Sequence, residues 1–325
     1  MSDKAVLITA EETVCRLKAM DNVLIFTHRR PDGDTVGSAA ALCIALRSLG
    51  KRAYIYENND NIARLLPYLE GLLQPEGYDP DFYVSVDIAT SRLFPYGAED
   101  YAEKIDLAID HHLTGGSFGK EACVEPHRAA CGELMFDILD MMGCINAETA
   151  LPLYVAIATD TGCFRYSNTT ASTHEITAKL MAQGIDFYSV NHRMFETKTR
   201  CRLQLEAMLM ERANFYDNGT VAITALTNEM SAKAGGTADD EDDLASLLRS
   251  IEGVEAAVTI RQQANGHSKI SVRTHEGENA INAAEVCMCF GGGGHVRAAG
   301  GLIEDTPDNA EQIVLEAIRR VRGNV

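Results

Sequence analysis

"NVLIFTHRRPDGDTVGSAAAL", residues 22–42, decides how the rest of the chain is read. Its apolar opening has the composition of a buried strand, and its small-residue close has that of a helix. His28, Asp32 and Asp34 crowd the turn between them. A histidine and two carboxylates so placed call for a chemical reason.

The same alternation continues through the first half. "RAYIYE" (52–57), "DFYVSVD" (81–87) and "IDLAIDHH" (105–112) read as further buried strands, with amphipathic or small-residue segments between them. Strands alternating with helices imply a doubly wound, mainly parallel α/β sheet. His28, Asp87, Asp110, His111 and His112 all fall at the C-terminal ends of these strands. In open α/β sheets that edge carries the binding crevice.

From about Ala147 the pattern turns helical, through "AETALPLYVAIATDTG" and "ASTHEITAKLMAQG" to "RCRLQLEAMLMERA". Then come "GTVAITAL" and a hairpin-like pair, "GVEAAVTIRQQ" and "HSKISVRTHE", joined by a turn holding Asn265 and Gly266. The expected organisation is a first domain over residues 1–190, a helical linker over 191–212 and a smaller α/β domain over 213–325, with the active site in the cleft between the domains. The acidic run Asp239 to Asp243 is expected to cap the helix that follows it.

Composition narrows the function. A net charge of −18 over 325 residues argues against a long nucleic-acid groove, which needs many Lys and Arg to neutralise phosphates. A small anionic ligand held by metal ions and a few arginines remains compatible with that charge. Nine cysteines without a C-x-x-C pair suit reduced, mostly buried thiols. The opening residues lack the apolar core of a signal peptide, and no apolar run approaches the roughly 18 residues that span a bilayer. A cytoplasmic protein without membrane contact is expected.

Asp160 in "ATDTG" adds a fourth polar cluster to those at residues 28–34, 87 and 110–112. Each alone reads as a helix cap or a satisfied histidine. Together they set several carboxylates along one sheet edge, where they cannot all stay ionised without cations. Imidazole and carboxylate without thiolate suit two divalent ions of the Mn²⁺ type. A pair of such ions activates water and clamps phosphoryl oxygens, which points to phosphoester hydrolysis.

Here the motifs become specific. "HRRPDGDTVGS", "VSVDIAT", "AIDHH" and "ATDTGCFRYSNTT" resemble the four ordered motifs of the DHH phosphoesterase superfamily, and "FGGGGHVRAAGG" (290–301) resembles the glycine-rich signature of the DHH-associated C-terminal domain. The continuation after Asp160 is most similar to the nano-RNase and pAp phosphatase branch. The resemblance implies that His28, Asp32 and Asp87 hold one ion. It gives Asp34, Asp87, His111 and Asp160 to the second, with Asp87 as the bridge. His112 would face the scissile phosphate, and Asp110 would support the histidines from behind. Gly292, Gly293, Gly294, His295 and Arg297 would clamp the far end of a nucleotide, the glycines by close backbone approach and a following helix start by its N–H groups. Arg165 and Arg273 are further phosphate candidates. Cys163 departs from the family pattern, which often has glycine there, and Arg297 stands where other polar residues are common.

The expected activity is Mn²⁺-dependent hydrolysis of very short 5′-phosphorylated oligonucleotides, together with conversion of pAp to AMP and phosphate. The alternatives are a phosphodiesterase for pApA or cyclic dinucleotides and, from another class, a nucleotide-binding regulatory module that has lost hydrolysis. The complete ligand set weighs against the module. The glycine-rich signature disfavours a type II pyrophosphatase, and size with acidic charge disfavours an exonuclease for long strands. Members are often homodimers, so a dimer is expected.

Overall fold

A computed structural model describes residues 5–112, 118–237, 239–241, 244–275 and 280–323. It divides into two compact units, Met1–Thr197 and Lys198–Val325. No helix among the described residues is long and apolar enough to cross a membrane.

The first unit begins with strand β1 (Val6–Leu7), helix α1 (Ala10–Ala19), β2 (Val23–Phe26), α2 (Gly33–Ser48), β3 (Ala53–Ile55), β4 (Phe82–Val86), β5 (Leu107–Asp110) and β6 (Glu121–Val124). It ends in helices α3 (Cys131–Met142), α4 (Ala147–Asp160), α5 (Ala171–Met181) and α6 (Phe187–Asn191). The strands form one sheet in the order β1-β6-β5-β4-β2-β3, every neighbouring pair parallel. From β2 the chain passes to β3 on one flank and returns to lay β4 on the other. Strand order therefore reverses at β2, and the crevice belongs at the C-terminal ends of β2 and β4. The four expected strands are all present. β1 and β6 escaped the sequence pattern: β1 has two residues, both exposed, and β6, Glu-Ala-Cys-Val, carries a single β-branched residue and no apolar run of strand length.

Helix α2 is buried almost all round, which explains its small residues. A Cβ on Gly37 would lie 2.2 Å from the Pro152 carbonyl oxygen, and one on Gly33 would lie 2.3 Å from Thr159 Oγ1. At the start of α3, a Cβ on Gly132 would lie 2.6 Å from the Ala156 methyl. Three glycines thus let α2 and α3 close on α4. The result brings two helix N-termini and one C-terminus to a single point.

The second unit comprises α7 (Arg200–Glu211), β7 (Asn214–Tyr216), β8 (Val221–Leu226), α8 (Asn228–Ala234), α9 (Ala245–Arg249), β9 (Ala256–Gln262), β10 (Ser268–Thr274), α10 (Ala283–Met288), β11 (Gly293–Gly294), β12 (Ala298–Ile303) and α11 (Pro307–Val321). Its sheet runs β11-β12-β10-β9-β8-β7, with β8 and β9 parallel and the other neighbours antiparallel. Residues of α10 and α11 share one core with this sheet, and α7 and α9 contribute to smaller clusters. The helix expected as a linker over 191–212 corresponds in part to α7, whose residues fall within this unit. Asp240 accepts hydrogen bonds from the Thr237 N–H at 2.7 Å and from the Thr199 hydroxyl, while the N-cap position of α9 is Leu244, with no side-chain cap. Asp242 and Asp243 lie outside the described residues.

The close approach at Gly37 gives a test. Gly37→Ala should destabilise the fold by about 1–3 kcal/mol, because overpacking meets backbone rather than a movable side chain. Urea unfolding measures it, and an unchanged midpoint would contradict the packing described.

Candidate metal centre

The centre is built from chain ends that the fold gathers at the strand-order reversal. His28 follows β2, Asp32 and Asp34 open α2, Asp87 follows β4, Asp110 ends β5 with His111 and His112 after it, and Asp160 ends α4. All eight expected residues of the centre come together.

Asp32 is the N-cap of α2, its Oδ1 accepting from the Asp34 and Thr35 amides at 3.0 and 3.2 Å. A helix cap and a candidate ligand can thus be one carboxylate rather than alternatives. Thr35 Oγ1 donates to the Val86 carbonyl at 2.8 Å and ties the loop after β2 to the end of β4. Asp87 is 2% exposed and adopts a left-handed φ of 59°. Its amide donates to the Ile109 carbonyl at 2.8 Å. Such a conformation costs on the order of 1–3 kcal/mol in a residue other than glycine and persists only where the surroundings enforce it. Beyond Asp160, Gly162, Cys163 and Phe164 are all left-handed, with φ of 55°, 57° and 63°. That backbone accounts for glycine as the expected residue at position 163.

The two inner imidazoles are oriented by the same device. His28 Nδ1 lies 2.8 Å from the Arg29 carbonyl and His111 Nδ1 lies 3.1 Å from the Arg128 carbonyl. A carbonyl only accepts, so each Nδ1 carries a proton and Nε2 is the atom that can present a lone pair when the ring is neutral; burial favours that state for His111, whereas at His28 burial is outweighed by Asp32, which raises the pKa. His28 Nε2 lies 3.5 Å from Asp32 Oδ1 and 3.7 Å from Asp87 Oδ2. His111 Nε2 lies 3.6 Å from Asp34 Oδ2, 3.5 Å from Asp87 Oδ1 and 3.7 Å from Asp160 Oδ2. These spacings are long for hydrogen bonds and close to the separation of ligands around one ion bound at about 2.1 Å. The two oxygens of Asp87 face different imidazoles.

The electrostatics agree with a cation site. Burial, then the charges of Asp160 and Asp32, hold the Asp34 carboxyl well above its usual range. Burial, then Asp34, does the same for Asp87. Burial and the Asp32 charge push Asp160 up to about 7. Burial lowers His111 and favours the neutral imidazole that metals require. Asp87 Oδ1 is buried with no hydrogen-bond partner. Three overlapping sets of donors, His28/Asp32/Asp87, Asp34/His111/Asp160 and Asp87/His111/His112, each lie within 4.8 Å. An orphaned oxygen amid hard oxygen and imidazole donors fits divalent cations.

His112 differs from its neighbour. Its Nδ1 lies 2.8 Å from Asp110 Oδ1, which also accepts the His111 and His112 amides at 2.8 and 3.2 Å. That hydrogen bond raises the His112 pKa against the effect of burial. A supported, partly exposed imidazole is left with Nε2 for a ligand.

Sequence reasoning missed what holds Asp34. Both its oxygens accept from the start of α3, Oδ2 from the Cys131 amide at 2.7 Å and Oδ1 from the Gly132 amide at 2.9 Å, and Ser38 donates to Oδ1 at 3.2 Å. A signal was available. The N-cap of α3 is Ala130, which cannot cap, so its amides needed a partner from elsewhere.

Arg165 is exposed and its Nε donates to the Gly162 carbonyl at 2.6 Å, within its own turn. Arg273, Gly292, Gly293, Gly294, His295 and Arg297 belong to the second unit. The helix expected after the glycines is absent. Gly293 and Gly294 form β11, and the His295 amide bonds the Ala298 carbonyl at 2.8 Å across a tight turn into β12. Two glycines have packing reasons: a Cβ on Gly292 would meet the Gly300 carbonyl oxygen at 2.4 Å, and one on Gly294 the Ala299 Cα at 2.6 Å. Gly293 has nothing within 4 Å of that position, and Arg297 Nη1 is buried without a hydrogen-bond partner.

Residues 22–196 match the DHH family N-terminal domain and residues 218–323 match the DHHA1 domain. A Thermus thermophilus protein named bifunctional oligoribonuclease and PAP phosphatase NrnA is 33% identical over 93% of this chain and 91% of its own. A Bacillus subtilis protein of the same name is 24% identical over 94% of this chain and 96% of its own. The crystal structure of an exopolyphosphatase-related protein from Bacteroides fragilis has the same fold, with a TM-score of 0.88 at 23% identity over 97% of this chain and 96% of that one.

A carboxyl raised to about 7 must surrender its proton before an ion can bind. Divalent-ion affinity should therefore climb from about pH 6 to about pH 8, with proton release shrinking over the same range. Calorimetry in buffers of different ionisation heat measures both. Flat affinity across that range would contradict the crowding of carboxylates.

Proposed function

The chain belongs to the DHH family, and from that premise we propose that it is a metal-dependent phosphohydrolase that cuts very short 5′-phosphorylated oligonucleotides to mononucleotides and converts pAp to AMP and phosphate. The observation that carries the proposal is Asp87, a buried carboxylate with one oxygen toward each of two separately supported imidazoles. His28, Asp32 and Asp87 would hold one ion, and Asp34, Asp87, His111 and Asp160 the other. Two divalent ions supply charge neutralisation and Lewis acidity at a phosphoryl group, and Mn²⁺ suits this donor set.

The chain's own residues do the rest. Arg29 and Arg128 carbonyls keep the ligand imidazoles in one tautomer. Asp110, fully buried, accepts from His112 Nδ1 and favours the imidazolium, whose Nε2–H can donate to the non-bridging oxygen of the scissile phosphate, where charge accumulates in the transition state. In the second unit, Lys269, Ser271 and Arg273 alternate along β10, and Lys269, Arg273, Gly293 and Gly294 line one cavity. With His295 and Arg297 they are the candidates for the substrate's non-reacting end, and Arg165 is a further phosphate candidate from the first unit. The names of the relatives support the substrate class, and the acidic net charge supports short rather than long strands. Nine free cysteines suit a reducing cytoplasm.

A substrate panel tests the proposal: pAp, pApA, cyclic dinucleotides, RNA of graded length and pyrophosphate, with Mn²⁺ or Mg²⁺ after chelation. Turnover of pAp and pApA is expected, falling steeply beyond about five nucleotides as the strand outgrows a small-ligand cleft. Equal kcat/KM for a dimer and for RNA of roughly twenty nucleotides would contradict it.

His112 separates chemistry from ion binding. His112→Ala should lower kcat on pApA by about 10²–10³, the usual loss for one transition-state donor, while ion content stays that of the parent. Parent-like kcat in the ion-loaded variant would remove His112 from the catalytic role.

A further inference from the structure

The three ligands that belong to the second set alone, Asp34, His111 and Asp160, arrive on three different elements, yet all three are tied to one short segment. At residue 128 the carbonyl receives the His111 ring proton at 3.1 Å. At residue 129 the carbonyl accepts Asn168 Nδ2 at 2.9 Å, and the same amide nitrogen donates to the Asp160 carbonyl at 3.1 Å. At residues 131 and 132 the amides hold the two oxygens of Asp34 at 2.7 and 2.9 Å. A side-chain amide nitrogen has two hydrogens, so Asn168 serves both carbonyls at once.

The segment is itself pinned. Arg128 Nε donates to Glu125 Oε2 at 2.7 Å and its Nη2 donates to Asp137 on α3, binding the loop to the helix whose N-terminus grips Asp34. Ala129 N–H donates to Glu133 Oε2 at 3.2 Å, one further bond to α3. Gly132 lets this helix start close on α4, which carries Asp160. The other ligand set is supported elsewhere: His28 by the Arg29 carbonyl, with Arg29 bonded to Glu99 at 3.1 Å, and Asp32 by its own helix N-terminus.

We infer that residues 128–132 form a template for the ligands of one ion and not the other, and that Arg128 and Asn168 are its positioning residues. Neither residue is a ligand. Arg128 fixes the carbonyl that sets the His111 tautomer, and Asn168 fixes the end of α4 against the same loop. The inference rests on the two-ion reading proposed above. It adds a selectivity that general structural support would not produce, because a residue needed only for folding affects both ions alike.

Manganese titration of the metal-free full chain, followed by calorimetry and electron paramagnetic resonance, tests it with Arg128→Met, Arg128→Lys and Asn168→Ala. The parent should take up two ions. Arg128→Met and Asn168→Ala should keep one ion at parental affinity and bind the other roughly 10–100-fold more weakly, the usual effect of losing a ligand's hydrogen-bond partner. Arg128→Lys, which retains a cation for Glu125 or Asp137, should recover part of that loss. In the metal-free parent, nitrogen-15 shifts should place the His111 proton on Nδ1, and Arg128→Met should mix the tautomers; should that variant fail to fold, Arg128→Lys and Asn168→Ala carry the ion test. Equal weakening of both ions, or of neither, would overturn the inference while leaving the two-ion reading intact. A parent that binds fewer than two ions would overturn that reading and the inference with it.

Discussion

The carboxylates of Asp34, Asp87 and Asp160 all lie within 3.5–3.7 Å of one imidazole nitrogen, and the structure around them is organised to hold that unfavourable grouping. Without cations the group relieves itself by keeping protons, which is the meaning of an Asp160 carboxyl pushed up to about 7. The fold resists any other relief. Asp34 is fixed by two amides, Asp87 by a left-handed backbone, and Asp160 by a helix end that a glycine allows to come close. Side chains that cannot move apart await positive charge, and that readiness suits them to hold divalent cations.

Helix packing is therefore part of the chemistry. Gly33, Gly37 and Gly132 carry no side chain where α2 and α3 meet α4, and a methyl group at any of them would press on atoms of α4. That contact sets the distance between Asp34 and Asp160, since each belongs to one of the helices concerned. The N-terminus of α3 then does double duty, satisfying its own amides with Asp34 while orienting a prospective ligand.

Much of this could be read from residues alone. The strands carrying His28, Asp87 and His111 announced themselves by apolar runs, and the parallel sheet placed their polar followers along one edge. What escaped was contributed by backbone atoms. The Arg128 carbonyl and the Cys131 and Gly132 amides have no sequence signature, because every residue owns such groups and only tertiary structure aims them. Asn168, within "ATDTGCFRYSNTT", carries no signal of its role, since an asparagine bridging two carbonyls looks in sequence like any loop asparagine. The run at Gly291 to Gly294 misled in a different way. It suggested a loop opening a helix, and the structure has a hairpin in which two of the glycines avoid backbone clashes with β12.

The central claim is that Asp87 serves two ions at once, one through each oxygen. Ion stoichiometry and affinity of Asp87→Asn, in full-length protein shown to be folded, test it most directly. The account predicts that both ions bind more weakly than in the parent, since one substitution removes the negative charge shared by both donor sets. An Asp87→Asn protein that keeps either ion at parental affinity would contradict it.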